Sequence, residues 1–218
     1  MGISITECRG SANWFFEYDI DIDGTTTLTT TVTPSPQIVH QWIRTTLRLN
    51  SRRNNLVVGL GVQWRPPSYR GEETPAAVLL LCVGRRCLIF QLLRSPNVPN
   101  ILHHFLLNPS HTFVGLWNHS DRRKLLDCSE HRLAMGQDPV DLRHYAVSNL
   151  DGRGLGRETR ETIVWECLGL EVDFDLWVAR SNWEADVLQH DQIIYASADA
   201  YCSFLLGKNM RIWEICTE

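Results

Sequence analysis

The chain has 218 residues, 44% of them hydrophobic and 21% charged, with a formal net charge of -4. Those values exclude a disordered or low-complexity chain, and the acidic balance excludes a protein that coats nucleic acid by bulk charge. Seven scattered cysteines with no CxxC pair fit neither a zinc framework nor a secreted disulfide scaffold. Residues 1–30 show no basic start followed by an apolar stretch, and no segment reaches the length of a membrane span. The expectation is a cytoplasmic protein with no membrane partner. Of 21 basic residues only Lys124 and Lys208 are lysines, so phosphate binding or a plain compositional bias toward arginine are both open.

In chain order, residues 1–12 read as a loose N-terminus, 13–210 as one domain and 211–218 as a C-terminal tail. Trp14 to Ile22 alternates toward its end, as a strand does, and Asp23-Gly24 signals a hairpin. The β-branched run Thr25 to Thr33 is the returning strand, broken by Pro34-Ser35-Pro36. Ile38, Val39, Trp42, Ile43 and Leu47 recur at helical spacing. Leu56-Val57-Val58-Gly59-Leu60 reads as a buried strand. Ala76 to Val83 and Cys87 to Leu93 form a hairpin about Gly84-Arg85-Arg86. Val98 to Leu107 is helical in pattern, Thr112 to Leu116 a strand, Asp121 to Cys128 a helix and Val140-Asp141-Leu142 a short strand. A Gly-rich link, Asp151 to Gly156, feeds a helix over Glu158 to Leu168, and Trp183 to Lys208 holds one or two more. The order predicts an α/β architecture, a mixed sheet with helices on its faces.

Three segments carry the chemistry. They are Val57 to Pro66 with Gly61-Val62-Gln63-Trp64 at its centre, Phe113 to Leu125 with Asp121, and Gln189 to Ala200 with Tyr195 and Asp199. Tyr195 and Asp199 are four residues apart and share a face if that segment is helical. Together the segments resemble the three motifs of the DEDDy-type, DnaQ-like 3'-5' exonucleases, whose fold is ribonuclease-H-like; Tyr195-Ala196-x-x-Asp199-Ala200 is the most specific match.

That resemblance implies metal-dependent phosphodiester hydrolysis with Mg²⁺ or Mn²⁺, in which two ions flank the scissile phosphate. Asp121 and Asp199 would be metal ligands, and Tyr195 would orient the attacking water. The family's first-motif Asp-x-Glu is here Gly61-x-Gln63. Gly61 offers no ligand and Gln63 only a neutral amide, which leaves a charge deficit for two ions. The variant looks closest to the plant RISC-interacting clearing 3'-5' exoribonucleases. This implies single-stranded RNA as substrate, Argonaute proteins as partners and a homohexamer with active sites at subunit interfaces. The alternative is a catalytically silent exonuclease fold that binds RNA ends.

A neighbouring subunit could return the missing acid, from Asp19, Asp21 or Asp23 on the first hairpin or from Glu72 and Glu73. Trp64, Trp117 and Trp183 suit base stacking or core packing. Gly61, Trp64, Trp117 and Arg122 are the candidate substrate contacts, with Arg122-Arg123-Lys124 either gripping phosphate or forming a solvated helix face. Asp141 supports the site or caps a turn. His119 and the Cys82, Cys87 pair read as inert, and Gly152-x-Gly154-x-Gly156 as a flexible link rather than a dinucleotide fingerprint.

Overall fold

The computed structural model describes residues 3–11, 15–52, 55–128 and 131–215. Trp14 and the last residues of the tail lie outside the described residues. The elements run β1 (Ser4–Ser11), β2 (Phe15–Asp21), β3 (Thr27–Thr33), α1 (Pro36–Leu49), β4 (Leu56–Gln63), β5 (Val78–Val83), β6 (Arg86–Gln91), α2 (Asn100–Leu107), β7 (His111–Gly115), α3 (Asp121–Asp127), β8 (Val140–Asp141), α4 (Arg160–Leu168), α5 (Leu176–Ala179), α6 (His190–Asn209) and α7 (Ile212–Ile215). The strands form one mixed sheet in the order β1-β2-β3-β6-β5-β4-β7-β8, with β3/β6, β4/β7 and β7/β8 parallel.

The period-two alternation of the central strands sorts their side chains to two faces. Leu79, Leu81 and Val83 of β5 join Val58, Leu60 and Val62 of β4 beneath α1 and α2, where Val39, Trp42, Leu102 and Phe105 meet them. Val78, Leu80 and Cys82 point the other way, to the layer built around α6. Each large aliphatic buried here contributes about 1.5–3 kcal/mol relative to exposure. Pro36 starts α1 as its first helical residue, where a missing N–H costs nothing. The β2–β3 turn uses Gly24 at φ 78 and the β5–β6 turn Gly84 at φ 66, each in the left-handed region that the turn requires.

α6 is the hub. It is buried on almost every side and lies directly over β4. Such an approach needs the absence of a side chain. A Cβ at Gly59 would stand 1.9 Å from the Ala200 carbonyl oxygen. Gly59, Gly61 and Gln63 thus share the face of β4 that α6 covers.

Two expectations are corrected. Residues 4–11 are not loose but an edge strand paired with β2, with a register shift between Glu7 and Arg9. Ile5 of that strand and Ile3 just before it pack on the core, too little apolar content to announce a strand. The sheet therefore begins before residue 13. Residues 212–215 form a helical turn with Ile212 fully buried, so this part of the expected tail docks rather than trails. The segment 183–208, expected to hold one or two helices, holds one, α6, and Trp183 precedes it in a loop.

Candidate active site

The ends of β4, β7 and α4 and the first half of α6 enclose a cavity of about 560 Å³, lined among others by Gly61, Gln63, Trp64, Trp117, Asp121, Arg160, Tyr195 and Asp199. Three distant segments meet here for separable reasons. Alternation along β4 aims Gly61 and Gln63 at α6. The helical repeat sets Tyr195 and Asp199 one turn apart on the face of α6 that looks back at them. Asp121 opens α3, and its N–H donates to the Asn118 carbonyl in the turn after β7. Asn118 is itself anchored by its side-chain amide donating to the Val140 carbonyl of β8.

The two carboxylates are unusual in their burial. Asp121 is 5% exposed and Asp199 6%. Burial, and then the neighbouring Asp199 charge, push the Asp121 carboxyl well above the usual carboxylate range. Burial likewise raises Asp199, which Arg160 partly offsets. Among the described residues no basic side chain pairs with Asp121, whose carboxylate accepts from the Val62 backbone N–H. An isolated buried carboxylate costs several kcal/mol unless a cation meets it.

Arg160, the first residue of α4, is the residue that sequence reasoning missed. Its Nη1 donates to the Tyr195 hydroxyl at 2.7 Å and lies 3.3 Å from Asp199 Oδ1; Nη2 donates to the Leu116 carbonyl at 3.3 Å. Its guanidinium stacks over the Phe174 ring at 5.2 Å, and its buried Nε–H finds no protein partner. Burial first, and the Asp199 charge next, lift the Tyr195 phenol to about 12. Tyr195 therefore stays protonated at neutral pH and keeps an O–H available to donate. No local pattern marks Arg160, since Arg153 and Arg157 precede it at similar spacing; the excess of arginine over lysine is the one signal that bears on it.

The rim is aromatic. Trp117 holds a left-handed backbone at φ 59, a conformation costly for a bulky residue, and is 42% exposed at the cavity. Arg143 lies 3.6 Å from the ring centroid and is fixed in turn by a forked pair to Asp141. Asp141 thus supports the rim through Arg143, and also accepts from the Arg143 N–H at the start of a 3-10 turn. Trp64 carries Lys124 Nζ 5.0 Å above its ring.

Other candidates fall away from the cavity. Arg122 turns outward to Asp138 at 2.9 Å and does not line it, because its place in the first turn of α3 faces solvent. Trp183 is buried, stands 6.2 Å from the Tyr195 ring and donates its Nε1–H to the Ala179 carbonyl, so it is core. Lys124 donates to Thr74, and His119 is exposed. Asp21 and Asp23 accept the backbone N–H groups of their own turn. Arg65, then the Ser68 N–H, hold the Glu72 carboxyl down at about 2. Gly154 is bridged to Val147, so the Gly-rich link is an ordered turn.

For a divalent cation the donor chemistry is partly present. Asp121 and Asp199 offer hard carboxylate oxygens and Gln63 a neutral amide oxygen, which suit Mg²⁺ or Mn²⁺. Among the described residues no group of three or more His, Cys, Asp or Glu is placed to hold a metal.

No family model matches the chain. Over 156 residues it is 28% identical to the mouse bifunctional 3'-5' exonuclease/ATP-dependent helicase WRN, covering 71% of this chain and 11% of that protein. Over 163 residues it is 29% identical to the Drosophila melanogaster exonuclease 3'-5' domain-containing protein 2, covering 73% of this chain and 26% of that one. The chain thus spans about a tenth to a quarter of the length of these relatives. Among solved structures the Nibbler EXO domain of Aedes aegypti superposes with a TM-score of 0.64 at 14% identity, covering 86% of this chain and 89% of that domain. The eight-stranded mixed sheet with its flanking helices is therefore the ribonuclease-H-like fold of DnaQ-like exonucleases, and in sequence the chain is similar to proteins named as 3'-5' exonucleases.

Proposed function

We propose that this chain is a 3'-5' exoribonuclease acting on single-stranded RNA. The observation that carries the reading is the convergence of Asp121, Asp199, Tyr195 and Gln63 on one cavity wall, from three segments remote in sequence. A cavity of about 560 Å³ suits a terminal nucleotide, within the usual range for small ligands. Preference for RNA rests on the likeness of Gly61-Val62-Gln63-Trp64 to the plant exoribonucleases. The same resemblance extends the proposal to Argonaute partners, a homohexamer with shared sites and a cytoplasmic setting.

Each side chain has a role that its geometry supports. Trp117, braced by Arg143, offers a face on which a base stacks. The Gln63 amide meets the terminal nucleotide by hydrogen bonding. Tyr195, its oxygen already accepting from Arg160, keeps its O–H to orient a water for attack on phosphorus. Asp121 and Asp199 would hold a divalent cation, which supplies Lewis-acid stabilisation of the phosphate charge when bound.

A second reading is a silent fold that grips RNA ends without cutting. It is favoured by Gly61 and Gln63, which bring no charge, and by the arginine already seated on Asp199. Incubation of 5'-labelled single-stranded RNA with Mg²⁺, with and without chelator, separates the two. A chelator-sensitive ladder shortening from the 3' end, lost in Asp199→Ala, supports the nuclease. Tight binding with no ladder refutes it in favour of the scaffold. Single-stranded DNA of the same sequence tests the sugar preference.

A further inference from the structure

The charges that reach the cavity do not suit two divalent ions. The buried Asp121 and Asp199 and the half-buried Arg160 sum to one negative charge; Glu161 on the cavity wall adds one more. One divalent ion brings that total to zero, or to a single positive charge if Glu161 is left out. A second ion would leave two or three positive charges in a partly dry cleft, before any phosphate enters. Gly61 contributes nothing, although an added Cβ there would lie 3.3 Å from Asp199 Oδ2, so a carboxylate at this position would have fallen beside Asp199. On the opposite side of the same carboxylate, Oδ1 is taken by Arg160.

We propose that the Arg160 guanidinium fills the second cationic place of the centre, so that each chain takes one divalent ion, held by Asp121 and Asp199. Arg160 is then a positioning residue. It neutralises Asp199 from one side, and it fixes the Tyr195 oxygen so that the phenolic proton points away from the guanidinium. An arginine suits the task because it stays charged in a buried setting and its planar fork reaches two acceptors at once. The Phe174 face beneath it and the Leu116 carbonyl keep that fork in plane.

The inference deepens the nuclease reading, and its test reads metal binding without RNA. The full chain is titrated with Mn²⁺ and free ion is followed by electron paramagnetic resonance. One ion per chain is expected in the wild type and in Arg160→Lys. Arg160→Gln is expected either to admit a second ion or to bind the first at least about tenfold more tightly, since a unit charge beside a cation is removed in a low-dielectric site. Gly61→Asp, which leaves Arg160 in place, is expected to bind one ion, more tightly than the wild type, and covers the case in which Arg160→Gln does not fold. Two ions in the wild type, none at millimolar Mn²⁺, or Arg160→Gln folded with unchanged stoichiometry and affinity would each overturn the proposal. Two ions with RNA laddering would sink this inference and spare the nuclease reading; one ion without laddering would do the reverse.

Discussion

Gly59→Ala tests whether the contact between β4 and α6 sets the active site. The new Cβ would meet the Ala200 carbonyl oxygen at 1.9 Å and the Phe204 nitrogen at 2.9 Å, both backbone atoms that no rotamer change can move. Ordinary contact begins near 3.4 Å, so the helix must retreat by 3.4 - 1.9 = 1.5 Å or the strand must buckle. Overpacking of a tight core costs about 1–3 kcal/mol, and a clash against helix backbone belongs at the upper end. At about 2–4 °C per kcal/mol for a chain of this size, the melting temperature should fall by roughly 6–12 °C. The same retreat carries Asp199, one residue before Ala200, away from Gln63. Misplacement of about 1 Å costs near a hundredfold in rate when reacting groups must be aligned. The assay pairs a thermal melt with the RNA ladder, using Gly154→Ala as control, where nothing lies within 4 Å and φ is not left-handed. A Gly59→Ala protein with wild-type melting temperature and activity would refute a role for the close β4–α6 approach in setting the site.

Asp121→Asn probes the buried carboxylates in metal-free buffer. The folded chain holds the Asp121 proton more tightly than the unfolded chain, because burial and Asp199 raise its pKa. Stability should therefore fall as pH rises from the ordinary carboxylate value through the raised one. Asp121→Asn should flatten that decline and raise the melting temperature at neutral pH by a few degrees, about 2–4 °C per kcal/mol relieved; a wild-type slope counts against it. Trp117→Gly should weaken oligonucleotide binding by about 1–3 kcal/mol, a roughly 5–150-fold rise in Kd, since one stacked base is lost. Its melting temperature should barely move, because glycine adopts the left-handed backbone at φ 59 without penalty. A large drop in melting temperature with unchanged binding would make Trp117 a packing residue.

What the sequence determined by itself was local and periodic. Alternation marked β2, β-branching marked β3, continuous apolar runs marked β5 and β6, and the turn residues Gly24 and Gly84 marked their hairpins. The four-residue spacing of Tyr195 and Asp199 placed both on one helix face, since that follows from the helical repeat alone. Gly61 and Gln63 were legible as a neutral pair for the same reason, as residues two apart on a strand. Only the tertiary structure could decide what depends on contacts between distant segments. The strand β1 exists because β2 offers it an edge, not because its own polar sequence demands extension. Arg122 and Arg160 look alike in the sequence, but the first turns out to Asp138 while the packing of α4 on α6 carries the second into the cavity. Trp117 and Trp183 are likewise the same side chain with opposite fates, one held open on a left-handed turn and one closed into the core. The burial that raises Asp121 and Asp199 belongs to no segment alone, because a carboxylate loses its water only when several elements close over it.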